Sequence, residues 1–117
     1  MKVAIIVLAG TEIREGLGRV VNALTTAKEF GEHGDEVVVV FDGAGTMWIP
    51  ELAGPEHRYH DLFESVRGSI SGACEYCAAA YSVTAEVEDA DIALLDEYAQ
   101  HPSLRSLALN GYTVMTF

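Results

Sequence analysis

The two cysteines of this chain, Cys74 and Cys77, lie three residues apart where a short apolar run meets an alanine-rich run. If residues 69–73 form a strand and 75–81 a helix, Cys74 ends the strand and caps the helix. A thiol there faces unpaired backbone N–H groups and the positive end of the helix dipole, which lower its pKa. We therefore expect Cys74 to be the more reactive thiol. The alternative is a pair of buried cysteines that act as small hydrophobic residues.

Cys77 follows one helical turn later, on the same helix face as Cys74. Its side chain can then approach disulfide distance from Cys74 with little movement of the backbone. We predict that Cys74 and Cys77 are the catalytic residues, with Cys77 as a resolving thiol. In the alternative, Cys77 points into the core and never meets Cys74.

Length, composition and charge restrict the class of protein. The 117 residues, half of them hydrophobic, predict a single folded domain over 1–117 and exclude disorder. No apolar run approaches the ~20 residues that cross a bilayer. The apolar run at 2–9 indicates a buried strand rather than a signal peptide. The net charge of −11 argues against binding nucleic acid or an anionic membrane. We expect a cytoplasmic protein whose cysteines serve sulfur, redox or metal chemistry rather than a structural disulfide.

Hydrophobic periodicity divides the chain into alternating strands and helices. Residues 92–95 fit either a helix or a brief strand, and 47–55, which include two prolines, are expected to be irregular. Strands are predicted at 2–9, 36–41, 69–73 and 112–117, and helices at 17–30, 57–66, 75–81, 84–90 and 102–110. This alternation indicates a three-layer α/β/α sandwich around a mostly parallel sheet.

Ligands of open parallel sheets bind at the carboxyl ends of the strands. Two glycine-rich loops and Cys74 should therefore meet at one edge of this sheet. The predicted pocket-lining residues are Gly10, Thr11, Glu12, Arg14, Asp42, Gly43 and Trp48. For Trp48 the alternative is packing under a loop, and for Arg14 a solvated surface position.

Two further motifs are weak. Gly16 and Gly18 match the first two glycines of a dinucleotide-binding fingerprint, but Val21 stands where the third glycine belongs. The sequence contains no P-loop motif. His57 and His60 could join the cysteines in a zinc site, but we favour surface histidines at the start of a helix. We therefore predict neither a cofactor nor a metal ion.

The whole chain resembles the DsrE/DsrF-like family, small α/β proteins of sulfur relay systems. The matching stretches are 2–9, 15–30, 41–45, 72–78 and 111–117. The family pattern of strand, Cys, short helix, Gly and aliphatic residue falls on Cys74, Ser82 and Val83, with serine replacing the glycine. The C-x-x-C spacing resembles an uncharacterised branch of the family rather than the established relay subunits.

The resemblance implies a DsrE/F-like fold with a five-stranded sheet, in which 92–95 form a strand. It implies that Cys74 accepts sulfane sulfur as a persulfide and passes it on. The implied partners are sulfur donor and acceptor proteins or small thiols, together with other copies of the chain in a trimer or hexamer. Two other functions stay open: a binding module for a small anion or nucleotide, and a thiol-redox or zinc site.

Overall fold

The centre of the molecule is a five-stranded sheet in which every strand pair is parallel. The computed structural model describes all residues, 1–117. The spatial order of the strands is β4-β3-β2-β1-β5. Their bounds are Lys2–Val7 for β1, Glu36–Phe41 for β2, Ile70–Cys74 for β3, Leu94–Leu95 for β4 and Thr113–Thr116 for β5.

Six α-helices and two short 3-10 helices connect the strands. The α-helices are α1 Arg14–Glu32, α2 Trp48–Ala53, α3 His60–Ser65, α4 Glu75–Ala80, α5 Thr84–Asp89 and α6 Leu104–Leu109. The 3-10 helices are Gly43–Met47 and Arg67–Ser69. No helix combines the length and the apolar character that a membrane span requires.

Helices cover both faces of the sheet, and this confirms the predicted sandwich. On one face, alternate strand residues such as Ile5 and Phe41 join the main core with residues of α1 to α5. On the other face, Ala4, Ile6 and Val40 pack with residues of α6 and the segment after it. Strands buried on both faces need continuous apolar sequence, which explains the unbroken runs in β1 and β2.

The segment predicted to be irregular, 47–55, contains α2 instead. Pro50 lies in the first turn of α2, where the N–H that proline lacks would have no partner within the helix. Trp48 anchors the segment, since its Nε1–H donates to the backbone oxygen of Ala9 at 2.8 Å.

Several element boundaries also differ from the prediction. The helix α1 begins at Arg14 rather than at 17, inside the expected loop, and α3 begins at His60 rather than at 57. The helix α6 begins after Ser103, whose Oγ accepts from the Ser106 N–H at 3.1 Å, rather than at Pro102. The segment 92–95 does supply a strand, but β4 has only two residues.

Candidate dithiol site

The cysteine pair lies at the junction of β3 and α4. Cys74 is the last residue of β3 and the N-cap of α4, and its Sγ accepts from the Cys77 N–H at 3.4 Å. The two sulfur atoms lie within 4.8 Å of each other. The predicted junction is confirmed, and the alternative in which Cys77 never meets Cys74 is wrong.

The Cys74 thiol is completely buried. Burial raises its pKa to about 12, because a thiolate there would lose its hydration, and the nearby Asp42 carboxylate acts in the same direction. The hydrogen bond from the Cys77 N–H to the Cys74 sulfur lowers the pKa of Cys74, but this effect is smaller than that of burial. The expectation of a lowered Cys74 pKa is therefore wrong: the helix end faces the sulfur as predicted, but water is excluded from it.

Cys77 is the more accessible of the two thiols, since its side chain is only half-buried. Its Sγ lies 3.5 Å from Oδ1 of Asp42, the residue that follows β2. Asp42 is held in place because the same Oδ1 accepts from the Gly43 N–H at 2.8 Å. The loop after β2 thus reaches the cysteines, as the sheet topology predicted.

His101 is the residue of this site that the sequence did not predict. Its Nδ1 lies 3.1 Å from the Cys74 Sγ, and its ring packs on Tyr76 with centroids 5.0 Å apart. His101 belongs to the loop between β4 and α6, at the carboxyl end of the fourth strand. Ligands of parallel sheets bind at the carboxyl ends of the strands, so this loop would have been predicted as part of the site if 92–95 had been recognised as a strand from its residues.

The His101 loop is fastened over the start of α4. The Gln100 carbonyl accepts from the Tyr76 N–H at 3.0 Å, and Tyr98 and His101 exchange two backbone hydrogen bonds of 2.8 and 2.7 Å. Ala99 and Gln100 adopt left-handed φ angles of 49° and 69°. Such angles cost non-glycine residues about 1–2 kcal/mol each, so these hydrogen bonds hold a strained loop against Cys74.

Four side chains with different chemistry therefore converge at the carboxyl edge of the sheet. The side-chain ligand atoms of Asp42, Cys74, Cys77 and His101 all lie within 4.8 Å of one another. A carboxylate, two thiols and an imidazole at this spacing can exchange protons, form a disulfide or bind a metal ion.

The other predicted pocket residues lie apart from this cluster. Thr11, Glu12, Arg14 and Trp48 line a cleft of about 320 Å³, and neither cysteine is part of its lining. Gly10 lines another, of about 290 Å³. The structure thus brings only Asp42 and the adjoining Gly43 to the cysteines, and the expected single pocket is divided.

The histidines of the zinc hypothesis also lie outside the cluster. His60 Nδ1 is 2.8 Å from the Leu52 carbonyl oxygen, and His57 Nδ1 accepts from the Tyr59 N–H at 3.0 Å. Gly16, from the partial dinucleotide motif, packs so closely on the Gly10 carbonyl that a side chain would collide with it. The two histidines and Gly16 therefore have structural roles in this fold.

Comparisons with known proteins give the fold but no activity. No family model matches the chain. The chain is 29% identical over 94 residues to the uncharacterized protein MJ0733 of Methanocaldococcus jannaschii. These aligned residues make up 80% of this chain and 76% of the relative. The solved structure of a conserved protein of unknown function from Bacteroides thetaiotaomicron, BT1422, superposes with a TM-score of 0.65 at 13% identity, covering 97% of this chain and 94% of that one. The chain therefore shares its fold with this bacterial protein.

Proposed function

We propose that the chain is a sulfur carrier in which Cys77 accepts sulfane sulfur and Cys74 releases it. The observation that carries the proposal is the unequal burial of two thiols that lie within 4.8 Å of each other. A donor reaches the half-buried Cys77 first, whereas Cys74 is covered by the His101 loop. This reverses the roles that the sequence suggested.

In the first step, the Cys77 sulfur attacks the outer sulfur of a small persulfide, R–S–SH. A sulfur–sulfur bond forms on Cys77, the donor's sulfur–sulfur bond breaks, and R–SH leaves with the proton lost by Cys77. Asp42 Oδ1, 3.5 Å from Sγ, is placed to accept that proton in transit. The exchange is redox-neutral, because one sulfane sulfur moves between two thiols.

In the second step, Cys74 attacks the inner sulfur of the Cys77 persulfide. A Cys74–Cys77 disulfide forms and hydrosulfide leaves, so the two cysteines lose two electrons and the sulfane sulfur gains them. His101 Nδ1, 3.1 Å from the Cys74 Sγ, is placed to accept the thiol proton in the tautomer whose hydrogen is on Nε2. An external thiol reductant must then reduce the disulfide before the next cycle.

We also propose that the chain belongs to the DsrE/DsrF-like family. Ser82, which stands at the family's glycine position, has a left-handed φ of 59°, a conformation that favours glycine. The five-stranded parallel sheet also agrees with the resemblance. On this basis we propose donor and acceptor proteins or small thiols as partners, a homo-oligomeric assembly and a cytoplasmic location, where free thiols persist.

Intact-mass spectrometry of the reduced protein tests the assignment. Wild type, Cys74→Ser and Cys77→Ser are each treated with a small-molecule persulfide in the presence of a metal chelator. We expect Cys74→Ser to retain one added sulfur, Cys77→Ser to acquire none, and wild type to release sulfide and form the disulfide. Stable loading of Cys77→Ser with none on Cys74→Ser would restore Cys74 as the acceptor. Absence of loading on all three proteins would refute sulfur transfer.

A further inference from the structure

The donor atoms of the dithiol site have the composition of a transition-metal site. Two cysteine sulfurs, one imidazole nitrogen and one carboxylate oxygen are available from Cys74, Cys77, His101 and Asp42. Thiolate and imidazole ligands select zinc-like ions, whereas magnesium and calcium prefer sites made of oxygen ligands alone.

We propose that these four side chains form a tetrahedral site for a divalent ion of the zinc class. The inference goes beyond sulfur transfer and does not depend on it. It differs from the zinc set considered from the sequence, because His101 and Asp42 take the places of His57 and His60.

The distances fit such a site. Zinc binds sulfur, nitrogen and oxygen at about 2.0–2.3 Å, so tetrahedral ligand atoms lie roughly 3.3–3.8 Å from one another. The Cys74 Sγ and His101 Nδ1 are 3.1 Å apart, and the Cys77 Sγ and Asp42 Oδ1 are 3.5 Å apart. No pair of ligand atoms is separated by more than 4.8 Å, so binding requires shifts of about an ångström.

The surrounding backbone already orients the ligands. The Cys77 N–H points at the Cys74 sulfur, and the Gly43 N–H holds one oxygen of Asp42. Such outer contacts fix ligand orientation and raise metal affinity. His101 presents Nδ1 to the sulfur, which leaves Nε2 free for an outer hydrogen-bond partner.

Charge and access also favour a cation. Two thiolates and one carboxylate would place three negative charges around the ion, so the complex with a divalent cation keeps a charge of −1. Asp42, Cys77 and His101 are each half-buried, which gives an ion a route to the buried sulfur of Cys74. An ion bound there occupies both sulfurs and so competes with sulfur loading.

Cobalt(II) titration of the reduced, full-length chain under anaerobic conditions tests the site. Tetrahedral cobalt with thiolate ligands gives visible d–d bands and a near-ultraviolet charge-transfer band. We expect both bands to saturate at one cobalt per chain and to disappear when zinc is added. Failure to produce tetrahedral bands at stoichiometric cobalt would overturn the proposal.

Variants identify the ligands. We expect His101→Gln and Asp42→Asn each to weaken cobalt binding roughly 10-fold or more, with circular dichroism confirming that they remain folded. His57→Gln, the matched control at a histidine outside the cluster, should bind like wild type. Unchanged affinity in His101→Gln, or weakened affinity in His57→Gln, would refute this ligand set. No sulfur donor is present, so a negative result here leaves the sulfur-loading test unaffected.

Discussion

Replacing Gly45 with alanine should destabilise the protein and disturb its site together. Gly45 lies in the 3-10 helix Gly43–Met47, which packs directly against the end of β1. A Cβ on Gly45 would lie 2.7 Å from the carbonyl carbon of Val7 and closer still to its oxygen. Carbon atoms pack at about 3.5–4.0 Å, so the 3-10 helix must move by about 0.8 Å or more.

The expected loss of stability in Gly45→Ala depends on whether the atoms that clash with the new Cβ can move away. The obstructing atoms belong to the backbone of a central strand whose Val7 side chain is fully buried, so β1 cannot move aside. Overpacking of this kind costs about 1–3 kcal/mol in the free energy of unfolding. The displacement also reaches Asp42, because its carbonyl accepts from the Gly45 N–H at 2.8 Å.

Urea unfolding followed by circular dichroism measures this change, with Gly18→Ala as the matched control. Gly18 lies inside α1 with open space around the position of its missing Cβ, so alanine there should stabilise by about 0.8–1 kcal/mol. The same Gly45→Ala protein should bind cobalt more weakly than wild type. Unfolding free energies of Gly45→Ala and wild type that agree within error would refute the reasoning.

Three further outcomes are expected. In iodoacetamide labelling of metal-free protein, the Cys74→Ser variant should react at Cys77 well before the Cys77→Ser variant reacts at Cys74. The labelling rate of Cys74 in the Cys77→Ser variant should keep rising above pH 9, since the pKa of Cys74 is raised to about 12. Faster labelling of Cys74 than of Cys77 at pH 7 would contradict the burial of Cys74. Saturating zinc should prevent persulfide loading of wild type until a chelator is added, and loading of the zinc-bound protein would show that the ion does not occupy the sulfurs. Fluorescence anisotropy should detect no nucleic-acid binding at physiological salt, because 7 basic residues face 18 acidic ones, whereas micromolar affinity would disprove this.

The sequence by itself determined the frame of the fold. The bounds predicted for the second strand, 36–41, agree with those of β2, because an unbroken run of valines suits only a strand that is covered on both faces. Helical segments between successive strands required crossover connections, which produce parallel pairing. The position of Cys74 at the end of a strand and the start of a helix followed from the same local patterns.

Tertiary structure decided the chemistry of the site. His101 reaches Cys74 from 27 residues away, on a loop whose path depends on the hydrogen bond between Gln100 and Tyr76. No periodicity in the sequence encodes such a path, and the two-residue strand before the loop is too short to be recognised from its residues alone. The same loop helps to bury Cys74 and so raises a pKa that the helix end alone was expected to lower. Spacing along the chain placed two thiols side by side, but only packing decided which of them meets solvent and which meets an imidazole.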